Sequence, residues 1–327
     1  MVGDGANDCA ALKAAHVGVS LSESDASIAA PFTSTAADIT CIPALLREGR
    51  ASLVTSYQLF RFTALYSIIQ FCAVLLCFFR GSVFGNWQYF FQDLVIVFPI
   101  TILMGVTPTA ARLTPKRPSG DLLSPRNIAS TLGHMLICLA FQLAVYALPF
   151  AEPDFVDLQT AAQGPLTWHT TALYYASNVQ LLIVAALFAR GAPWKAAPHT
   201  NTRLFAWFAF VLSASLLLIA VAREGAGTFL WTDDACLPMH LRRLILLLMV
   251  LNAALCAAYE ELALPLAELA LRSIRTTLLP QAAGSALGVG RHPALTARKP
   301  FHALRQSFES GWSAQGGDDQ TVSVATA

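Results

Sequence analysis

The chain has 327 residues, of which 55% are hydrophobic and only 13% charged, with a formal net charge of +1. Soluble domains carry about 25% charged residues, so a wholly water-soluble protein is excluded and membrane spans are expected. The near-neutral balance gives no electrostatic basis for nucleic-acid binding, and seven scattered cysteines without a CxxC pair exclude a disulfide framework or a zinc site.

Met1 is followed at once by Gly3, Asp4 and Gly5, with no basic region leading into an apolar stretch. No signal peptide opens the chain, and the N-terminus is expected in the cytosol. Residues 1–50 are mixed in polarity and read as soluble. Asn7 to Ala15 is expected as a short helix after a glycine-rich turn, and Val17 to Leu21 as a short buried strand. Pro31 to Ser34 is expected as a loop, and Ile42 to Tyr57 as a helix.

Six apolar runs follow, each near the roughly 20 residues that a bilayer span needs. They cover about 53–79, 89–106, 128–150, 171–189, 204–222 and 244–264. Arg61 lies in the first, whose beginning is therefore expected as a stalk reaching into the cytosol. Loop charges set the orientation. Arg112, Lys116, Arg117 and Arg126 follow the second run, and Arg190, Lys195 and Arg203 follow the fourth. Arg272, Arg275, Arg291, Arg298 and Lys299 follow the sixth. On the other side, Glu152, Asp154 and Asp157 lie between runs three and four, and Glu224, Asp233 and Asp234 between runs five and six. Both termini are thus placed on the basic, cytosolic side. Cys72, Cys77 and Cys138 sit inside apolar runs and are expected as free thiols. From about Leu278 the tail is rich in Gly, Ala, Ser, Thr and Pro and is expected to be mostly disordered.

The opening string Gly3-Asp4-Gly5-Ala6-Asn7-Asp8-Cys9 carries the clearest chemistry. Glycines around an aspartate let the backbone turn tightly at a strand end. Asp4 can then offer a carboxylate to a hard cation such as Mg²⁺, and Asn7 can donate a hydrogen bond to a phosphoryl oxygen. Asp8 can cap the following helix or pair with a lysine elsewhere. A plain polar turn before an N-capped helix explains the same residues.

Within the membrane, Asp93 stands out, because a charge at mid-bilayer costs about 2.5–3.5 kcal/mol and calls for a partner or an aqueous path. A hydrated position at the lumenal interface is the alternative. Tyr66 and Gln70, spaced i, i+4, share a helix face. Tyr66 can hold a cation over its ring, Gln70 can accept a hydrogen bond, and packing between helices is the rival explanation. Asn86 and Trp87 are placed at the lumenal entrance. Tyr174, Asn178 and Gln180 are weaker candidates, explained by helix–helix hydrogen bonding. Pro99 should kink or unwind the second run.

The string GDGANDCAALKAAHVGVSL, residues 3–21, resembles the hinge motif at the end of the phosphorylation domain of P-type ATPases. In that family a short strand, a linker and six membrane helices follow the motif, in the order found here. The strings LSESDASIAAPFTS (21–34), REGRA (47–51), ALYSIIQF (64–71) and QDL (92–94) resemble the B branch of the fifth class. In the A branch an insertion is expected before DASIAAPFTS, and here the strings are almost contiguous. The B branch comprises polyamine exporters of endolysosomes or other endomembranes.

The resemblance implies a mainly α fold, a six-helix transmembrane bundle (51–264) preceded by the end of an α/β, HAD-like phosphorylation domain (1–50) and followed by a cytosolic tail (265–327). It implies Asp4 as Mg²⁺ ligand, Asn7 near the phosphorylated aspartate and Asp8 as a positioning residue, with Asp93, Tyr66, Gln70 and Asn86 as substrate-binding candidates. The expected partners are the lipid bilayer, a polyamine or other cation, and the N-terminal catalytic domains of a longer parent, with ATP as its substrate. No DKTGT phosphoacceptor string and no TGES-like loop occurs in the 327 residues, so this chain alone is not expected to turn over ATP. A truncated non-catalytic membrane protein and a helix dislocase of the A branch remain the alternatives.

Overall fold

A computed structural model describes residues 1–21, 30–35, 38–152, 167–221 and 237–278. The loop acids Asp154, Asp157, Glu224, Asp233 and Asp234, and the tail beyond Leu278, lie outside the described residues. The chain forms two units, Met1–Ala267 and Glu268–Ala327. The described part of the second is helical, to Leu278.

The first unit opens on a small parallel sheet, β1 (Val2–Gly3), β2 (Val19–Ser20) and β3 (Phe32–Thr33), in the order β1-β2-β3. Val2 pairs with Val19, and Val19 with Phe32. A 3₁₀ turn (Ala6–Asp8) and helix α1 (Cys9–Ala14) connect β1 to β2. Leu12 and Val19 are buried between helix and sheet. Residues Pro31 to Ser34, expected as a loop, contain β3 instead. Pro31 precedes the first strand residue, where a missing N–H does no harm, and Ser34 N–H donates to the Ser20 carbonyl.

Helix α2 (Cys41–Phe78) runs unbroken for 38 residues and joins the expected helix 42–57 to the first apolar run. No Gly or Pro after Pro43 interrupts it except Gly49, so nothing stops propagation into the span. The second run is one helix in three parts: α3 (Asn86–Phe90), a π segment (Phe91–Val97) and α4 (Phe98–Gly105). The remaining spans are α5 (Pro125–Ala147), α6 (Trp168–Phe188), α7 (Thr202–Val221) and α8 (Met239–Ala258). A second π segment (Tyr259–Ala263) leads from α8 into α9 (Leu264–Leu278). Among the described residues six helices are long and apolar enough to cross a membrane. The protein is mainly α and multi-pass.

Helix α6 is the centre of the bundle. It packs against α2, α5, α7 and α8, and 83% of its apolar window is buried, against 28–33% for the other five. Its polar side chains, Ser177, Asn178 and Gln180 among them, find hydrogen-bond partners there that lipid does not offer. The other five present one face to α6 and another to lipid, with Phe71, Phe78, Leu136, Phe205 and Val250 exposed.

Arg61 is drawn into the bundle. Its guanidinium lies 4.0 Å from the centre of the Phe188 ring, donates to Ser130 Oγ and sits 3.6 Å from Glu260. The charge on the first run is thus neutralised inside the protein, at the level where α2, α5 and the second π segment meet. Cys77, Cys138 and Cys256 are buried free thiols.

Candidate functional site

The turn after β1 sets three polar side chains at the carboxyl end of a parallel strand, where ligands of open α/β sheets bind. Asp4 and Asn7 are exposed and Asp8 is half-buried. Close approach requires glycine at position 3 and brings the Asn7 side chain over Gly5. A Cβ on Gly3 would lie 2.5 Å from Asp8 Oδ2, and one on Gly5 would lie 2.3 Å from Asn7 Oδ1. Asp8 occupies the N-cap position of α1, but its side chain makes no capping hydrogen bond. The reason is local: its φ of −84° and ψ of −8° continue the 3₁₀ turn, whereas a capping side chain needs extended backbone. Its carboxylate rests over Gly3 instead.

Asp4 fits a magnesium ion in donor type, a hard carboxylate oxygen on an exposed turn. No group of three or more His, Cys, Asp or Glu able to hold a metal occurs among the described residues. Mg²⁺ is commonly bound through one or two carboxylates, its other ligands being waters and phosphate oxygens.

The second cluster lies in the membrane. Tyr66 and Gln70 are one turn apart on α2, and both reach the same atom: Tyr66 Oη donates to Asp93 Oδ1 at 2.9 Å and Gln70 Nε2 at 3.1 Å. Among the described residues Asp93 Oδ2 receives no hydrogen bond. Asp93 itself is half-buried. Gln70 also approaches Gln92 Oε1 at 3.3 Å, and Gln92 Nε2 donates to Ser177 Oγ at 2.7 Å and Asn178 Oδ1 at 2.9 Å on α6. The cluster therefore ties the second span to both α2 and the central helix.

Backbone chemistry puts Asp93 there. Pro99 has no N–H, and its ring excludes the ordinary helical bond to the Val95 carbonyl. That carbonyl is taken by Trp207 Nε1 of α7 at 3.0 Å. Upstream the helix widens into the π segment, so that the Phe98 N–H reaches the Asp93 carbonyl, five residues back. Pro99 does loosen the helix, as expected, but the chain stays helical throughout. Such π segments recur at functional sites.

Asn86 is not part of the cluster. It is exposed at the first position of α3, about 10 Å along the helix from Asp93. Gln180 serves the packing between helices, bonding Gln142 and the Cys138 carbonyl. Gln92 and Ser177 were not singled out in the sequence. Their only signal was a polar residue inside an apolar run.

No family model matches the chain. Curated relatives do. Polyamine-transporting ATPase 13A2 of Homo sapiens is 41% identical over 275 residues, 75% of this chain and 23% of that protein. Probable cation-transporting ATPase 13A4 of Homo sapiens is 34% identical over 285 residues, covering 80% and 24%. Polyamine-transporting ATPase 13A3 of Homo sapiens is 33% identical over 285 residues, covering 80% and 23%. The chain thus spans about a quarter of the length of the relatives it matches.

Proposed function

The chain belongs to the P-type ATPases, in the B branch of the fifth class, and from that premise we propose that it forms the transport part of an ATP-driven pump for polyamines or related organic cations. The observation that carries the reading is Asp93. An intramembrane carboxylate, fixed on one oxygen by Tyr66 and Gln70 and bonded by no described residue on the other, is built to receive an ammonium. A charge-assisted hydrogen bond there is roughly twice as strong as a neutral one. The Tyr66 ring and the amides of Gln70 and Gln92 offer a weakly polar wall for a methylene stem. Asn86, at the helix start, is placed to meet the cation first, on the lumenal side.

Residues 1–50 act in this reading as the end of the phosphorylation domain, 51–264 as the transport bundle and 265–327 as a cytosolic tail. Asp4 would hold Mg²⁺, which neutralises charge on a phosphoryl group when bound. Asn7 donates a hydrogen bond to a phosphoryl oxygen, and Asp8, packed over Gly3, holds the turn in shape. The unbroken α2 provides a rigid rod from the small sheet to the Tyr66–Gln70 face. The lysine and arginine asymmetry of the loops supports cytosolic termini, and an endomembrane is the expected location.

Phosphoenzyme decay in the full-length protein tests this. Phosphoenzyme formed with ATP and Mg²⁺ is expected to break down faster as spermine is added, and much less with n-butylammonium, which carries one charge. Decay that ignores every amine would contradict the proposal.

A further inference from the structure

Lys195 lies in the connection between α6 and α7, where sequence alone counts it as a solvated loop charge. It is 3% exposed. Its Nζ donates to Thr55 Oγ1 at 2.7 Å, to the Met104 carbonyl at 3.0 Å and to Gln58 Oε1 at 3.3 Å. Among the described residues it makes no ion pair. Burial pulls its pKa down to about 8. An ammonium is thus held by three neutral oxygens, a costly arrangement for a residue that merely decorates a loop.

The site is made for this side chain. A Cβ on Gly191 would meet the Lys195 stem at 2.8 Å, so only glycine lets the stem pass. The strip around Lys195 is fastened to the end of α4: Ala110 N–H donates to the Trp194 carbonyl, and Ala196 N–H to the Pro108 carbonyl. Asn201 Nδ2 takes the neighbouring Leu103 carbonyl at 2.8 Å. A cation at the carboxyl end of α4 also meets the negative end of the helix dipole. That explains the Met104 contact, but not the two oxygens contributed by α2.

The position on the helices is informative. Thr55 precedes Tyr66 by eleven residues on α2, and Met104 follows Asp93 by eleven on the second span. The cradle therefore lies about 16 Å from the Asp93 cluster along the same pair of helices, a distance comparable with an extended polyamine. Between the two stand Phe62, Leu65, Ile96 and Ile100, all fully buried. Thr55 also lines an open cleft of about 470 Å³ whose other polar walls are Glu48, Ser52, Ser56, Thr107 and Thr109. The α2–α4 seam thus has a polar station at Asp93, an apolar septum, a second polar station and an open mouth.

We propose that the oxygen cradle of Thr55, Gln58 and Met104 is a second ammonium station, on the exit side of the seam, occupied here by the tethered ammonium of Lys195 and taken by a primary ammonium of the substrate when that tether withdraws. The inference deepens the transport reading and rests on it for the substrate's identity, though not for the chemistry of the cradle. Lys195 competes for the station, so it clears a leaving cation and bars its return.

Two measurements on the full-length protein test it. In an Asp93→Asn background, where the first station is disabled, Lys195→Ala opens the cradle. Its thermal stability is expected to rise saturably with n-butylammonium and not with tetramethylammonium, which has no N–H. Adding Thr55→Val should weaken that response about tenfold or more. This arm stands whether or not polyamines are the substrate. In the second arm, with Asp93 intact, Lys195→Met fills the cradle with an apolar group and should lower spermine-stimulated kcat about tenfold below that of Lys195→Ala. A lysine that only staples the loop predicts the opposite order, because alanine leaves the larger cavity. If Lys195→Ala does not fold, Lys195→Ser carries the same expectations. Equal responses to both amines, or a Met variant as active as the open one, would overturn the proposal.

Discussion

Asp93→Asn in the full-length protein should remove most spermine-stimulated turnover while phosphoenzyme still forms. The substitution keeps the shape of the side chain and its acceptor for Tyr66 and Gln70, whose bonds both fall on Oδ1. It removes only the charge that, on the proposed reading, faces a substrate ammonium. Losing one partner of a desolvated charge pair costs about 2–5 kcal/mol, which is a factor of roughly thirty to several thousand in apparent affinity. On the same reading phosphorylation is chemistry of the cytosolic part and does not need this carboxylate. The measurement is phosphoenzyme level together with spermine-dependent ATP hydrolysis in wild type and variant. Unchanged spermine dependence would remove Asp93 from the site.

The second large effect is expected at the other end of α2. Asp4→Asn takes a negative charge from the exposed turn after β1 and leaves the fold of the turn intact. Its side chain is exposed, whereas Asp8 and Asn7 fill the space over Gly3 and Gly5. Weakening the hold on a catalytic metal forfeits several kcal/mol of charge stabilisation, so phosphoenzyme formation should fall roughly a hundredfold or more. Raising Mg²⁺ should recover part of it. Spermine binding, measured directly, should stay as in wild type, because the membrane cluster is separate. A variant that phosphorylates normally at low Mg²⁺ would rule Asp4 out as the metal ligand.

The membrane spans were legible because their signal is long and redundant: some twenty apolar residues with few charges leave no other structure. The small sheet was less so. Strands of two residues have no period to read, and Phe32–Thr33 becomes a strand only because β2 lies beside it. The grouping of Tyr66 with Gln70 follows from helical spacing, and Asp93 from the cost of a charge in lipid. Their common meeting point on one carboxylate oxygen depends on the π segment. That segment depends on Pro99 and on Trp207, 108 positions further along, a pairing no local pattern shows. Asn86 lies a turn or more too early for the cluster. Lys195 was the least legible of all. In sequence it is one basic residue among several on a loop, and only the packing of that loop against α2 and α4 buries it.

ATP-driven movement of labelled spermine is the most direct measurement. Full-length protein is reconstituted in vesicles with its cytosolic side outward and spermine trapped inside. The account predicts that ATP and Mg²⁺ added outside drive spermine out of the lumen, that Asp93→Asn abolishes the efflux, and that wild type without ATP retains its load. Spermine that stays inside under ATP, while phosphoenzyme forms and decays normally, would contradict the claim that this bundle carries polyamines.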